Sequence, residues 1–312
     1  MSKSSNSGAG ILAVDIGATK IALGIVDSQY SIHSKEELII GNSSAVELWE
    51  RIANSTSEIL GNSQREIIGI GIASAGPIDI KNGTISPVNI HGWRDFPVVK
   101  NFQSFSENTP VVLHGDAMAL AHAEHKVGAG IGRKNMLGMV VSTGIGGGLI
   151  INNSLVVGDT GNAGYIGHQT INFDGELCRC GRRGCVEMYA SGPNMVKAAQ
   201  SKGWNSGTDF TALAESARQG NEIAIDVIKK GTHALAQSIV NTAGALDIHT
   251  VVIGGGVSQA GDIYWNPLMA NIELEAQHEG FLNDLEILPA KLQRDAGLIG
   301  ASLAISNSQG NL

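Results

Sequence analysis

Apolar positions along this chain follow two periods, one residue in two and roughly two in seven, and the switches between them outline its elements. Ile11–Ile16 and Ile21–Val26 are short β-branched runs separated by Gly17-Ala18-Thr19-Lys20, which predicts a strand, a tight turn and a second strand. From Ala45 to Leu60 the residues Val46, Leu48, Trp49, Ile52, Ala53 and Ile59 recur at helical spacing. Ile67–Ile72 and Val111–His114 read as buried strands, and Ala117–Lys126 as a helix. The pattern then restarts, with a strand over Met136–Ser142, a glycine turn over Gly144–Gly148 and a strand over Leu149–Ile151. Helices are expected over Gly192–Ser201, Asp209–Gln219, Asn221–Leu246 and Asp262–Gln277, with an apolar strand at Thr250–Ile253. The segment Asp295–Ile305 reads as a further apolar helix.

Two strand–turn–strand units, each opening a section of alternating strands and helices, predict an α/β protein with two similar domains facing one cleft. The expected division is a flexible tail over 1–10, an N-terminal domain over 11–116, and a larger C-terminal domain over 117–294. Helix 295–312 is placed as a candidate to cross back onto the first domain.

Composition narrows the function classes. The chain has 312 residues, of which 43% are hydrophobic, ample for a sizeable core. Only 16% are charged, the net charge is −8 and there is no long basic run, which argues against nucleic acid or an anionic membrane as a partner. The first ten residues lack the apolar stretch of a signal peptide, and no later apolar run is long enough to span a bilayer. A cytoplasmic chain acting on a small molecule is therefore expected, as a homodimer or homotetramer.

Five motifs carry candidate chemistry. In Asp15-Ile16-Gly17-Ala18-Thr19-Lys20 a close turn could present backbone N–H groups and Thr19 to phosphate oxygens, with Asp15 placed to hold Mg²⁺ through water. Alone, the same turn also reads as an ordinary hairpin. Ser142-Thr143-Gly144-Ile145-Gly146-Gly147-Gly148 has more glycine than a stable hairpin calls for, and close approach of a ligand's phosphates explains it better. Gly254-Gly255-Gly256 at a strand end before a helix suits a nucleotide lying on a helix N-terminus, but weakly. His168, Cys178, Cys180 and Cys185 form a complete tetrahedral zinc set with no cysteine left over and no position for water, hence a structural site. Asp116, at a strand end and helix start in His114-Gly115-Asp116-Ala117, reads first as an N-cap and second as a base for an attacking hydroxyl.

Taken in order, Asp-Ile-Gly-Ala-Thr-Lys, Gly-Asp-Ala, Ser-Thr-Gly-Ile-Gly-Gly-Gly, Gly-His, Cys-x-Cys-Gly-x-x-Gly-Cys-x-Glu and Gly-Gly-Gly resemble the ROK family (repressors, open reading frames and kinases) over Ile11 to Ile305. The resemblance implies a two-domain actin-like ATPase (sugar kinase) fold, Asp116 as general base, and both phosphate turns binding ATP. It also implies that Asn89, His168 and Glu187 line a sugar pocket, His168 touching sugar with one ring nitrogen and zinc with the other. Gly76 falls in a sugar-facing loop of the family.

Two positions depart from the family pattern. Gly115 stands where an asparagine is usual, and Tyr165-Ile166-Gly167-His168 replaces the Glu-x-Gly-His of glucose kinases. Both point away from glucose; the family's N-acetylmannosamine kinases can also lack that glutamate, and the whole chain looks similar to them. The family's repressors carry a DNA-binding segment of roughly eighty residues ahead of the first phosphate turn. Here only a short Ser/Asn/Gly stretch precedes it.

Overall fold

The computed structural model describes residues 8–88, 90, 92–277 and 280–309. Asn89, expected at the sugar pocket, lies outside them. The described residues form two units: 8–123 with 157–163 and 294–309, and 124–156 with 164–293.

In the first unit, β1 (Ala9–Ile16), β2 (Lys20–Asp27) and β3 (Ile32–Ile39) form an antiparallel meander. After α1 (Ala45–Asn62), β4 (Glu66–Ser74) joins β1 in parallel. The small ribbon β5 (Ile78–Asp79) and β6 (Thr84–Ile85) and helix α2 (Val98–Gln103) follow, and then β7 (Val111–Gly115) lies parallel to β4. The sheet order is β3-β2-β1-β4-β7. Helix α3 (Asp116–Val127) leaves β7 directly and runs past Ala123 into the second unit.

Near-continuous burial of β1, β2 and β4 means that both sheet faces are covered. One face packs Leu12, Val14, Leu23, Ile70 and Ile72 with Leu48 and Ile52 of α1. Ser44 starts α1 by a capping box, accepting from the Glu47 N–H while the Glu47 carboxylate accepts from its own. The other face is lined by small residues, Ala13, Ala22 and Ala73, and packs against Ala119 of α3 and Leu298 and Ala301 of the C-terminal helix Ala296–Gln309. A Cβ at Gly71 would overlap the Ala301 carbonyl, so glycine lets that helix lie directly on the sheet. The polar strand β3 escaped the sequence reading because it is an edge. Its Lys35 and Glu37 face solvent and pair with Asp295 and Lys20 respectively.

The second unit repeats the plan: β8 (Met136–Val141), β9 (Ile145–Ile151) and β10 (Ser154–Val156) meander, β11 (Thr250–Gly254) joins β8 in parallel, and β12 (Glu286–Pro289) joins β11. The order is β10-β9-β8-β11-β12. Between β10 and β11 come α4 (Glu187–Ala190), α5 (Gly192–Ser201), α6 (Phe210–Arg218) and the long α7 (Glu222–Leu246); α8 (Asp262–Ala276) lies between β11 and β12. Residues from β8, β11, α5, α6, α7 and α8 share one core that includes Met139, Ile253, Met195, Leu213, Leu235 and Leu268.

One expectation is corrected here. Gly144–Gly148 is not a turn: only Ser142-Thr143-Gly144 turns, and Gly146, Gly147 and Gly148 are strand residues of β9 paired with Val140, Met139 and Gly138. Gly147 and Gly148 are buried. A Cβ at Gly147 would stand 2.9 Å from the Gly164 carbonyl and 2.7 Å from Ile166 Cδ1. At Gly147 the chain itself makes a close approach that requires glycine.

Candidate active site and metal centre

In the first unit, strand register gathers the candidate groups at one sheet edge. Ile16 lies opposite Ser74, and Ser74 opposite Gly115. Asp15 and Asp116 therefore emerge from strands ending at the same level, with β4 between them. The hairpin loop Gly17-Ala18-Thr19 closes with the Gly17 N–H donating to the Lys20 carbonyl at 3.0 Å, and exposed Thr19 sits at its tip. The Lys20 ammonium pairs with Glu37 at 2.9 Å.

Burial pushes the Asp15 carboxyl up to about 7; the neighbouring Asp116 charge adds to the rise, while Lys20 and Lys35 oppose it. Burial likewise pushes Asp116 up to about 6. Asp116 Oδ1 accepts from the Ala117 N–H at 2.7 Å, which fixes the carboxylate against the helix start. His114, two residues before Asp116, is lowered to about 4 by burial and stays neutral near pH 7. Two carboxyls that resist ionisation through burial, Asp15 also through the Asp116 charge, form a place where a divalent cation lowers the electrostatic cost. That chemistry suits Mg²⁺. Sequence reasoning did not find the group that backs Asp15: a Cβ at Gly297 would overlap its carboxylate, so the start of the C-terminal helix is pressed against Asp15. At Gly115 a Cβ would meet nothing nearer than Met118 at 3.7 Å, so the missing asparagine side chain leaves real space.

In the second unit, the loop Ser142-Thr143-Gly144 is held from two sides. The Ser142 carbonyl accepts from the Gly192 N–H at 2.9 Å, and Glu187 Oε2 accepts from the Ile145 N–H at 2.9 Å. A Cβ at Gly144 would stand 2.7 Å from the same carboxylate oxygen. Gly254 ends β11 opposite Val140, and Gly255 has φ 98°, where a Cβ would collide with the Val141 carbonyl. The second and third glycine motifs thus meet because their strands pair. A 3₁₀ turn, Val257–Ala260, separates Gly256 from α8, so the third motif does not run straight into the helix as expected.

The four proposed metal ligands converge. His168, on a 3₁₀ turn, and Cys178, Cys180 and Cys185 offer ligand atoms all within 4.8 Å of one another. His168 Nδ1 lies 3.4 Å from Cys178 Sγ, and the Cys180 and Cys185 sulfurs lie 3.5 Å apart. A tetrahedral site with zinc–sulfur bonds of about 2.3 Å needs sulfurs about 3.8 Å apart. Burial and the adjacent thiols push Cys185 up to about 12, the difficulty that a bound cation removes. The donor set fits zinc.

Tyr165 does not pack in the core. It is 49% exposed, and its ring lies over that of His168 with centroids 4.6 Å apart. Burial, and after it the Glu187 charge, raise its hydroxyl above the ordinary value of 10.0, so it remains neutral. Tyr165, His168 and Glu187 are therefore one cluster, with Nδ1 of His168 turned to the sulfurs. Asn162 is a residue that no motif signalled: it bonds the main chain of Ile78, two residues after Gly76. Among the described residues, no helix is long and apolar enough to cross a membrane.

Comparison with known proteins supplies an outside view of this geometry. The ROK family profile matches residues 11–307. An N-acetylmannosamine kinase of Yersinia pestis (strain Pestoides F) is 34% identical over 293 residues, covering 94% of this chain and 97% of that protein. A ROK hexokinase from Thermus thermophilus superimposes with a TM-score of 0.86 at 29% identity, covering 97% of this chain and all of that one. A ROK family glucokinase from Streptomyces griseus, solved with glucose and AMPPNP, gives 0.78 at 30% identity, covering 94% and 98%.

Proposed function

The chain belongs to the ROK family and is a sugar kinase, and on that premise we propose that it phosphorylates the 6-hydroxyl of N-acetylmannosamine with Mg-ATP. Asp116 is the proposed general base. A carboxyl near 6 is ionised at pH 7 yet more basic than an ordinary aspartate, which suits it to take the hydroxyl proton as the phosphoryl group transfers. Its Oδ1 is held by the Ala117 N–H, leaving Oδ2 for that proton. Magnesium, when bound with ATP, neutralises charge on the phosphates, and Asp15 is the residue that would hold it through water. The loops carrying Thr19 and Thr143, together with Gly254, Gly255 and Gly256, are the proposed nucleotide contacts, and Gly76, Asn89, Gly115, Tyr165, His168 and Glu187 the proposed sugar contacts. Zinc on Cys178, Cys180, Cys185 and His168 Nδ1 would fix the His168 ring and so aim Nε2.

The observation that carries the choice of sugar is the position of Tyr165 over His168, beside Glu187. A glutamate there accepts from two neighbouring sugar hydroxyls. An acetamido group at carbon 2 replaces one of them, and a carboxylate covered by the bound sugar and left short of a donor is costly. A neutral tyrosine avoids that cost and offers its ring to the acetyl methyl. The relative at 34% identity bears the name of the same activity.

An ADP-release assay over a panel of sugars tests the reading. kcat/KM for N-acetylmannosamine should exceed that for glucose by at least about tenfold, roughly 1.4 kcal/mol, and Tyr165→Glu should move the preference toward glucose. A wild-type enzyme that prefers glucose refutes the sugar assignment and leaves a ROK glucokinase or hexokinase.

A further inference from the structure

The loop Ala75-Gly76-Pro77 is anchored at both ends, and one anchor is a side chain to which no function has been assigned. At its start, the Ala75 N–H donates to the Ile16 carbonyl at 2.8 Å, which ties the loop to the strand row that ends in Asp15 and Gly115. At its end stands Ile78, buried, the first residue of β5. Across the ribbon the Ser86 N–H donates to the Pro77 carbonyl at 3.0 Å, and Ile78 pairs with Ile85 without exchanging these bonds. In an antiparallel pair of that kind the N–H and C=O of Ile78 point outward, away from β6. Buried main-chain groups need partners. Asn162 supplies both: its Oδ1 accepts from the Ile78 N–H at 3.3 Å, and its Nδ2 donates to the Ile78 carbonyl at 2.9 Å.

One amide side chain thus takes the place of a neighbouring strand. Its rotamer is itself held, since Nδ2 also lies 3.2 Å from both the carbonyl and the hydroxyl of Thr160. The next residue back seals the contact, because a Cβ at Gly161 would overlap Ile80. The space beside Gly76 has the opposite character. A Cβ there would meet nothing nearer than the Ile78 nitrogen at 3.9 Å, so the protein's own packing does not demand glycine. Gly76 is thus an open position on a loop pinned at both ends, beside the strand row of Asp116.

We propose that Asn162 is a positioning residue for sugar recognition, holding Ala75-Gly76-Pro77 through Ile78 at the place where the sugar lies. The inference rests on the sugar-kinase reading above. A carboxylate of the same size keeps the acceptor for the Ile78 N–H but sets an oxygen against the Ile78 and Thr160 carbonyls, whereas alanine loses both bonds without that repulsion.

Steady-state kinetics on the full chain decide it. Asn162→Ala should raise KM for the sugar about tenfold, Asn162→Asp by at least as much, with KM for ATP unchanged within about twofold and kcat reduced less than about threefold. Both variants should remain folded at the assay temperature, as their melting temperatures will show. In a double-mutant cycle, Gly76→Ala should cost less in sugar KM when Asn162 is already alanine, because both act on one loop. An unchanged sugar KM in both variants overturns the proposal. So does a parallel rise in both KM values with a matching loss of melting temperature, the mark of a merely structural contact. A wild-type chain that phosphorylates no sugar is a different result: it overturns the kinase reading itself, and this inference with it.

Discussion

In the first unit the strand entering the hairpin ends in Asp15-Ile16; in the second, the strand at the same place in the same sheet order ends in Val140-Val141. The last parallel strand of the first sheet leads into Asp116, and that of the second into Ala290. Both hairpin loops are short and both put an exposed threonine, Thr19 or Thr143, at the tip. Topology is shared because the apolar pattern is shared, and a meander followed by parallel strands is what that pattern buries. Chemistry is not shared, because it depends on the few residues at strand ends. One sheet places two carboxyls there, raised to about 7 and about 6. The other places neutral residues there and keeps its chemistry in the connections: Glu187 on the hairpin loop, Tyr165 on His168, and three cysteines.

The largest effect should come from erasing the difference at Asp116. Asp116→Asn keeps the size and can still accept from the Ala117 N–H, but it cannot take a proton. kcat should fall by about a hundredfold or more, near 2.7 kcal/mol, with sugar affinity retained. Near-wild-type turnover would make Asp116 only a helix start and leave the first sheet without its base.

The counterpart in the second unit is the cysteine cluster. Purified protein should carry about one zinc per chain, and Cys180→Ser should release it and lower the melting temperature by about 5 °C or more, a loss near 2 kcal/mol. A metal-free chain of unchanged melting temperature and activity would sink the zinc assignment. Damage confined to the second unit, with the first still protected in amide exchange, would sharpen the contrast between the units.

A smaller effect concerns pH. Asp15 and Asp116 both lie above the ordinary 3.8 in the folded chain, so between about pH 4 and about pH 7 the folded state holds more protons than the unfolded one. Their contribution to stability is complete at the acid end of that window and is lost as pH rises through it. In metal-free buffer, Asp15→Asn should therefore remove part of the fall in melting temperature between about pH 5 and about pH 8, and added Mg²⁺ should do the same for wild type. Identical pH slopes with and without Asp15 would mean that its carboxyl is not raised.

What could be read from the sequence alone was whatever has a local cause. Strands such as Ile21–Val26 and helices such as Gly192–Ser201 follow from apolar spacing, and the cysteine set from the count and spacing of ligands. What needed tertiary structure were relations between distant residues. Strand β3 is polar because it is an edge, and its pairing with β2 decides it. The glycines of β9 resemble a turn locally, and their pairing with β8 makes them a strand. Gly297 backs Asp15, and Asn162 serves Ile78, across separations of 282 and 84 residues. Neither contact leaves a local signal. A hydrophobic period records which side of an element is buried, but it carries no information about which distant side chain or carbonyl will occupy the space beside it.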